Sequence, residues 1–134
     1  MTGLVVRFRI DFARHSSLGP GKILLLEAIR DSGSLSRGAR SIGMSYRRAW
    51  LLVESLKESF REPVIRASRG GKEGGGMSVT SFGDTLIRSY RGLEGDFAAL
   101  AERRLRPISA ALAQRSGSGA ASVRRAIRPR AAAR

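Results

Sequence analysis

The chain has 134 residues, of which 42% are hydrophobic, and carries a formal net charge of +14. That length fits one domain with an extension, and no apolar run approaches the roughly 18 residues of a membrane span. The N-terminal apolar stretch is too short for a secretory signal. The absence of cysteine excludes disulfides, thiolate nucleophiles and cysteine metal sites, and a cytoplasmic location fits this composition.

The positive charge is spread over two parts of the chain. Residues 34–91 carry 11 basic and five acidic residues, and residues 103–134 carry nine arginines and no acidic residue. Codon bias accounts for 22 arginines against three lysines, but it does not explain the shortage of acids near the C-terminus. Both parts therefore favour a polyanionic partner.

The first elements alternate between strand and helix. Hydrophobic and arginine side chains alternate over residues 4–10, which predicts a half-buried strand. Residues 16–21 contain Gly and Pro and predict a loop. Residues 22–31 then place apolar side chains on one face of a helix, and Gly33 is its expected C-terminal cap.

Two further helices follow, separated by a tight turn. Ser34 is expected to cap a helix that runs to about residue 41, with the small Ala39 at a close helix crossing. Gly43 supplies a left-handed turn. Ser45 caps a third helix that runs to about residue 60. The spacing of Trp50 with Val53 and Phe60 puts Trp50 on the buried face of that helix.

The pattern then predicts a hairpin and a long helix. Strands over 64–67 and 77–79 enclose the glycine-rich stretch 69–76. Thr80 or Ser81 caps a helix over about 80–105, and Ser81 with Asp84 resembles a capping box. Its apolar residues follow steps close to a heptad seam, which predicts a dimer interface: Leu86, Tyr90, Leu93, Phe97 and Leu100. Residues 1–106 form the predicted domain, and residues 107–134 a basic tail that is disordered or weakly helical.

Two stretches carry a family resemblance. Residues 33–50 read GSLSRGARSIGMSYRRAW, and RAS at 66–68, GGKEGGG at 70–76 and TSFG at 80–83 follow. Together they resemble the N-terminal domain of the ModE family, bacterial molybdate-responsive transcription regulators, over roughly residues 4–100. The helix-turn-helix part alone also fits LysR-type regulators.

The resemblance implies a fold and partners. The fold is mainly α with a small β-sheet, a winged helix-turn-helix with a long C-terminal dimerisation helix. The implied partners are double-stranded DNA and a second copy of the chain, with no membrane. Longer family members bind molybdate in C-terminal barrel domains. Since only an Arg/Ala-rich stretch follows here, we expect no molybdate-binding barrels and no cofactor.

The candidate DNA contacts lie on three elements. In this motif one helix tip meets base edges while the preceding helix crosses the backbone, and a wing contacts phosphates or the minor groove. The alternative for each residue is a solvated basic surface. The candidates are Ser34, Arg37 and Arg40 on the second helix, Ser45, Tyr46, Arg47 and Arg48 on the third, and Arg66, Arg69 and Lys72 in the wing.

No catalytic site is evident. His15 is the single histidine, which cannot form a metal cluster or a complete triad alone. Asp11, Glu27 and Asp31 show no acid–base pattern, and the glycine-rich loop lacks the phosphate-binding Gly-x-x-x-x-Gly-Lys-Ser/Thr motif. We therefore expect a non-enzyme.

The sequence thus predicts a sequence-specific transcription regulator, acting as a repressor and associated with the nucleoid. Two alternatives stay open: a non-specific architectural DNA- or RNA-binding protein, and a molybdate sensor or carrier without barrels.

Overall fold

The computed structural model describes residues 4–68 and 75–113. In chain order its elements are β1 Ile10–Phe12, β2 Ser16–Leu18, α1 Pro20–Ser32, α2 Leu35–Ser41, α3 Tyr46–Ser59, β3 Ile65–Ser68, β4 Gly76–Val79, α4 Ser81–Arg104 and α5 Arg106–Ala110. The prediction of a mainly helical winged helix-turn-helix with a long C-terminal helix is confirmed.

Local chemistry at the helix ends sets the boundaries of α1, α2 and α3. The hydroxyls of Ser34 and Ser45 each accept a hydrogen bond from the backbone N–H three residues later, at 3.0 and 3.1 Å. Gly33 and Gly43 adopt φ of 76° and 68°, a region that glycine enters without steric cost. All four predicted caps and turns are confirmed.

The core forms around α1. Four of its side chains are fully buried, namely Ile23, Leu25, Leu26 and Ile29. Helix α2 crosses α1 at Gly38, where an added Cβ would lie 3.1 Å from backbone atoms of Ala28 and Ile29. Ala39, predicted at this crossing, is buried beside it, but Gly38 is the residue that permits the close approach.

The second hairpin is anchored at both ends. Strands β3 and β4 pair antiparallel from Ile65 with Val79, and the N–H of Met77 donates to the carbonyl of Gly33 at 2.8 Å. Beyond β4, the Thr80 hydroxyl accepts from the Gly83 N–H at 3.0 Å.

Thr80 is therefore the cap of α4. Its hydroxyl also donates to the carbonyl of Pro63 at 2.6 Å, which fixes the start of the helix against the chain before β3. The capping box predicted for Ser81 and Asp84 is wrong, because Ser81 is already the first helical residue.

The N-terminal region differs from the prediction. Residues 4–9 form no strand, and β1 pairs with β2 through a turn in which Arg14 and His15 have φ of 66° and 65°. The predicted loop over 16–21 therefore begins with a strand. Burial still alternates over residues 4–10, because this segment packs on α4.

Tyr90 joins that segment to α4. Its hydroxyl donates to the carbonyl of Phe8 at 2.7 Å, and the two rings stack with centroids 4.4 Å apart. Tyr90 is 1% exposed, and burial is the main cause that raises its pKa. Leu86 also packs against the core. Tyr90 therefore belongs to the chain's own core, and this corrects its assignment to the dimer seam, whereas Leu86 is only partly buried.

Charged side chains also connect the helices. Arg91 Nη2 lies 2.6 Å from Glu27 Oε1 on α1 and Arg91 Nη1 lies 2.8 Å from Glu94 Oε1, and these hydrogen bonds raise the pKa of Arg91. Lys22 is buried, and its Nζ donates to the carbonyl of Ser17 at 2.7 Å. Burial, followed by the charge of Arg9, lowers the pKa of Lys22.

The chain after α4 continues as helix for five more residues. Helix α5 has no buried residue, so the start of the predicted tail is helical but unpacked. The rest of that tail from residue 114 lies outside the described residues. Among the described helices, none has the length and apolarity that crossing a membrane requires.

Candidate nucleic-acid interface

Helix α3 packs against the core along one face only. Its buried side chains are Ala49, Val53 and Leu56, which join the core. Tyr46, Arg47 and Arg48 in its first turn are exposed, as predicted. The helix therefore presents a cationic N-terminal end to solvent on a fixed support.

The three side chains of this first turn diverge. Tyr46 is 58% exposed and lines the space between α3 and the β3–β4 hairpin. A Cβ placed on Gly21 would lie 3.6 Å from Arg48 Nη2, so Arg48 extends beside the start of α1. Arg47 lies between them in sequence and is exposed. The first turn of α3 therefore directs Tyr46 towards the hairpin and Arg48 towards α1, so its possible contacts lie on both sides of the helix.

The candidates on α2 differ in accessibility. Ser34 is 7% exposed, and its hydroxyl accepts from the Arg37 N–H. Arg37 and Arg40 are exposed, and Arg37 Nε lies 3.4 Å from the Ser34 hydroxyl. Ser34 is thus placed as a cap, while the two arginines are accessible to an anion.

Of the three candidate DNA contacts in the β3–β4 hairpin, one lies within the described residues. Arg66 is exposed on β3, opposite Ser78 of β4. Arg69 and Lys72 lie outside the described residues. Through the bond from Met77 to Gly33, the hairpin is fixed beside the turn that leads into α2.

A groove of about 280 Å³ separates α3 from the hairpin. We call this space the α3–hairpin groove, and it is lined by Ser34, Leu35, Ser36, Tyr46, Trp50, Val53, Glu54, Lys57, Ala67, Ser68, Gly75, Gly76 and Met77. Aromatic, hydroxyl and cationic groups thus share one concave surface on the side of the molecule that bears Tyr46.

The prediction that Trp50 is a core residue is wrong. Trp50 is 48% exposed, whereas Ala49 is fully buried. Since consecutive helical residues are separated by about 100°, Trp50 lies a quarter turn from the side chain that enters the core. The series Ala49, Val53, Leu56 completes the buried face without it.

Lys57 is a second residue that the sequence reasoning missed. It lies two turns beyond Trp50 on the groove side, and its Nζ is 3.2 Å from Glu54 Oε1. Its spacing of 11 from Tyr46 and seven from Trp50 was the available signal, because these intervals keep side chains near one helical face.

The described residues offer little for other chemistry. Over 4–68 and 75–113 there is no group of three or more His, Cys, Asp or Glu side chains that could hold a metal ion. His15 is exposed in the β1–β2 turn, as expected for a loop histidine.

The fold and its exposed basic helix tip define a winged helix-turn-helix domain with an extended C-terminal helix. Sequence comparison with known proteins identifies relatives of this chain. The chain is 31% identical over 102 residues to the molybdenum transport protein ModE of Azotobacter vinelandii, which covers 76% of this chain and 38% of that protein. It is 40% identical over 83 residues to the molybdenum-pterin-binding protein MopB of Rhodobacter capsulatus, 62% of this chain and 31% of that protein.

A third relative is named as a regulator. The chain is 38% identical over 71 residues to the DNA-binding transcriptional dual regulator ModE of Escherichia coli K12, 53% of this chain and 27% of that protein. No family model matches the chain. The resemblance to the ModE family is confirmed, and the match spans about a third of the length of these relatives.

Proposed function

We propose that this chain is a transcription regulator that binds double-stranded DNA at specific sequences through α3. One observation carries the proposal: the first turn of α3 exposes Tyr46, Arg47 and Arg48 while the same helix is fixed in the core by Ala49 and Val53. The relatives named as ModE transcriptional regulators support the same function.

The proposed binding mode puts the tip of α3 into the major groove, which is about 12 Å wide and admits a helix. An arginine can hold guanine O6 and N7 through two hydrogen bonds, contributing about 1–3 kcal/mol of discrimination. Arg37 and Arg40 on α2 and Arg66 on β3 are exposed on the elements that precede and follow α3 in the chain, so we assign them to phosphates. Ser45 orients the tip by capping α3, and Arg69 and Lys72 stay candidate wing contacts.

We further propose a homodimer built on the distal part of α4. Leu93, Phe97 and Leu100 are 45%, 53% and 38% exposed on that helix. They continue the heptad-like seam beyond Tyr90, and although the Phe97 ring stacks on Phe8 of its own chain with centroids 6.0 Å apart, about half of that side chain stays exposed. A second copy can bury them, and two tips would then address half-sites about 34 Å apart or a multiple of that distance.

Repression in the cytoplasm, on nucleoid DNA, is the proposed mode, because steric exclusion of polymerase needs only occupancy of the operator. Molybdenum is part of the names of several relatives. The described residues give no specific observation that favours molybdate binding, so we assign the chain no such ligand.

Selection of genomic fragments bound by the purified protein tests both proposals. We expect one enriched motif with inverted half-sites, and sedimentation equilibrium of the free protein should give twice the chain mass. Affinity should fall with salt, with a slope near −0.9 in log K against log salt per neutralised phosphate.

A competition experiment distinguishes sequence-specific binding from the alternative of non-specific binding. The selected fragment should outcompete random duplex of equal length and RNA of equal charge. Equal competition by all three would favour an architectural DNA- or RNA-binding protein and contradict sequence-specific regulation. An enriched motif without inverted symmetry, bound by a monomer, would contradict the dimer alone.

A further inference from the structure

We infer that the α3–hairpin groove seats the sugar–phosphate backbone of one DNA strand, with the Trp50 ring packed on deoxyribose. This inference rests on the proposed function and assigns a role to a residue that the sequence pattern had placed in the core. It makes Trp50 a contact residue that neither reads a base nor supports the fold.

The position of the groove supports this occupant. Tyr46 and Trp50 line one wall from successive turns of α3, and Ser68 and Gly76 line the other from β3 and β4. If α3 enters the major groove and the hairpin lies beyond it, the strand that borders that groove has to pass between them. The space left for it is about 280 Å³, which fits the edge of one strand and not a whole duplex.

The chemistry of the walls matches a sugar–phosphate chain. Deoxyribose presents C–H surface, which an indole ring contacts by apolar packing, and the phosphate presents anionic oxygens. Ser36, Ser68 and Lys57 supply hydroxyl donors and a cation along the groove. In the free protein Lys57 Nζ is paired with Glu54 Oε1 at 3.2 Å, so Lys57 has to leave this exposed pair to meet a phosphate.

Charge favours nucleic acid over an apolar peptide as the occupant. Arg47 and Arg48 follow Tyr46 in the first turn of α3 and are exposed, and Arg66 precedes the lining residue Ala67 on β3, so these cations lie around the groove and not in its walls. Cations around the binding surface attract the phosphates of DNA, which an apolar peptide lacks.

The intrinsic fluorescence of the chain tests the inference directly, because Trp50 is the single tryptophan of the sequence. Labelled-duplex anisotropy first measures binding of the selected DNA by the full chain. Acrylamide quenching of Trp50 is then measured with and without saturating DNA. We expect quenching to fall by about half or more, since burial removes the ring from solvent.

Variants add a second readout. Trp50→Ala should lower affinity for the selected duplex about tenfold, equivalent to about 1.4 kcal/mol, and should leave the salt slope unchanged because no ion pair is lost. Leu24→Ala is the matched control: Leu24 is 44% exposed on α1 and does not line the groove. Its affinity and the circular dichroism of both variants should match the parent chain.

The outcomes separate this inference from the proposed function. Tight duplex binding with unchanged Trp50 quenching and an unaffected Trp50→Ala variant would overturn the groove assignment and leave DNA binding in place. Absence of duplex binding by the parent chain would overturn both. Protection of Trp50 by single-stranded RNA at lower concentration than by the duplex would overturn the assignment to a DNA strand.

Discussion

Replacing Arg47 or Arg48 with Ala should weaken binding to the selected operator. If the replaced arginine holds a base edge, the loss should be about 5- to 150-fold, equivalent to about 1–3 kcal/mol. Both side chains are exposed at the end of a helix whose other side is fixed in the core. The loss should therefore reflect missing contacts and not unfolding. Operator affinity by anisotropy, with thermal melting of each variant, is the measurement.

The two arginine variants should lose different binding properties. Loss of a base contact relaxes discrimination between operator and random duplex, whereas loss of a phosphate contact weakens both and makes the salt slope shallower by about 0.9. Because Arg48 lies beside the start of α1, we expect Arg48→Ala to change the slope and Arg47→Ala to change specificity. Arg88→Ala, an exposed arginine on α4, is the charge-matched control and should retain both properties.

Gly83→Ala should destabilise the fold by about 1–3 kcal/mol or more, the usual cost of overpacking a tight contact. An added Cβ at Gly83 would lie 2.4 Å from the carbonyl oxygen of Val64 and 2.5 Å from Val79 Cγ1. Helix α4 would have to move away from the hairpin that forms one wall of the α3–hairpin groove. Urea denaturation at fixed protein concentration measures the change, because association also contributes to apparent stability.

Gly95 on the same helix provides the control. A Cβ at Gly95 would meet nothing within 4 Å, so Gly95→Ala should stabilise the chain by roughly 0.5–1 kcal/mol, the ordinary gain over glycine in a helix. Opposite signs at the two glycines would support the close packing of α4 on the hairpin. Equal effects would contradict it.

The sequence predicted best where a few neighbouring residues decide the structure. Ser34 and Ser45 cap helices because each side chain needs only the N–H three residues later, and Gly33 and Gly43 turn because their own φ allows it. These four positions fix the order helix, turn, helix. The exposure of Tyr46 through Arg48 follows from that order.

Contacts between distant parts of the chain were not predictable in this way. Tyr90 continues the seam of α4 in sequence, but Phe8, 82 residues earlier, accepts its hydrogen bond and covers its ring. The turn of β1–β2 places Arg14 and His15 at positive φ without glycine, so it carries no glycine signal.

Trp50 was misplaced for a geometric reason. An apolar spacing of three to Val53 fits a helical face, but Ala49 fits it better, and the smaller residue occupies the position against the core. The large ring is left at the edge that faces the hairpin. In a helix that supports binding, an aromatic residue just outside the apolar series is therefore a candidate contact.

Tethered cleavage of DNA from α3 tests the central claim most directly. The chain has no cysteine, so Leu51→Cys, one turn beyond Arg47 on α3 and 51% exposed, can carry a single iron chelate that cuts nearby DNA. We predict cuts confined to a few base pairs at the centre of each selected half-site, and none from Leu24→Cys on α1. Cleavage spread along the fragment, or stronger from position 24 than from position 51, would contradict the insertion of α3 into the major groove.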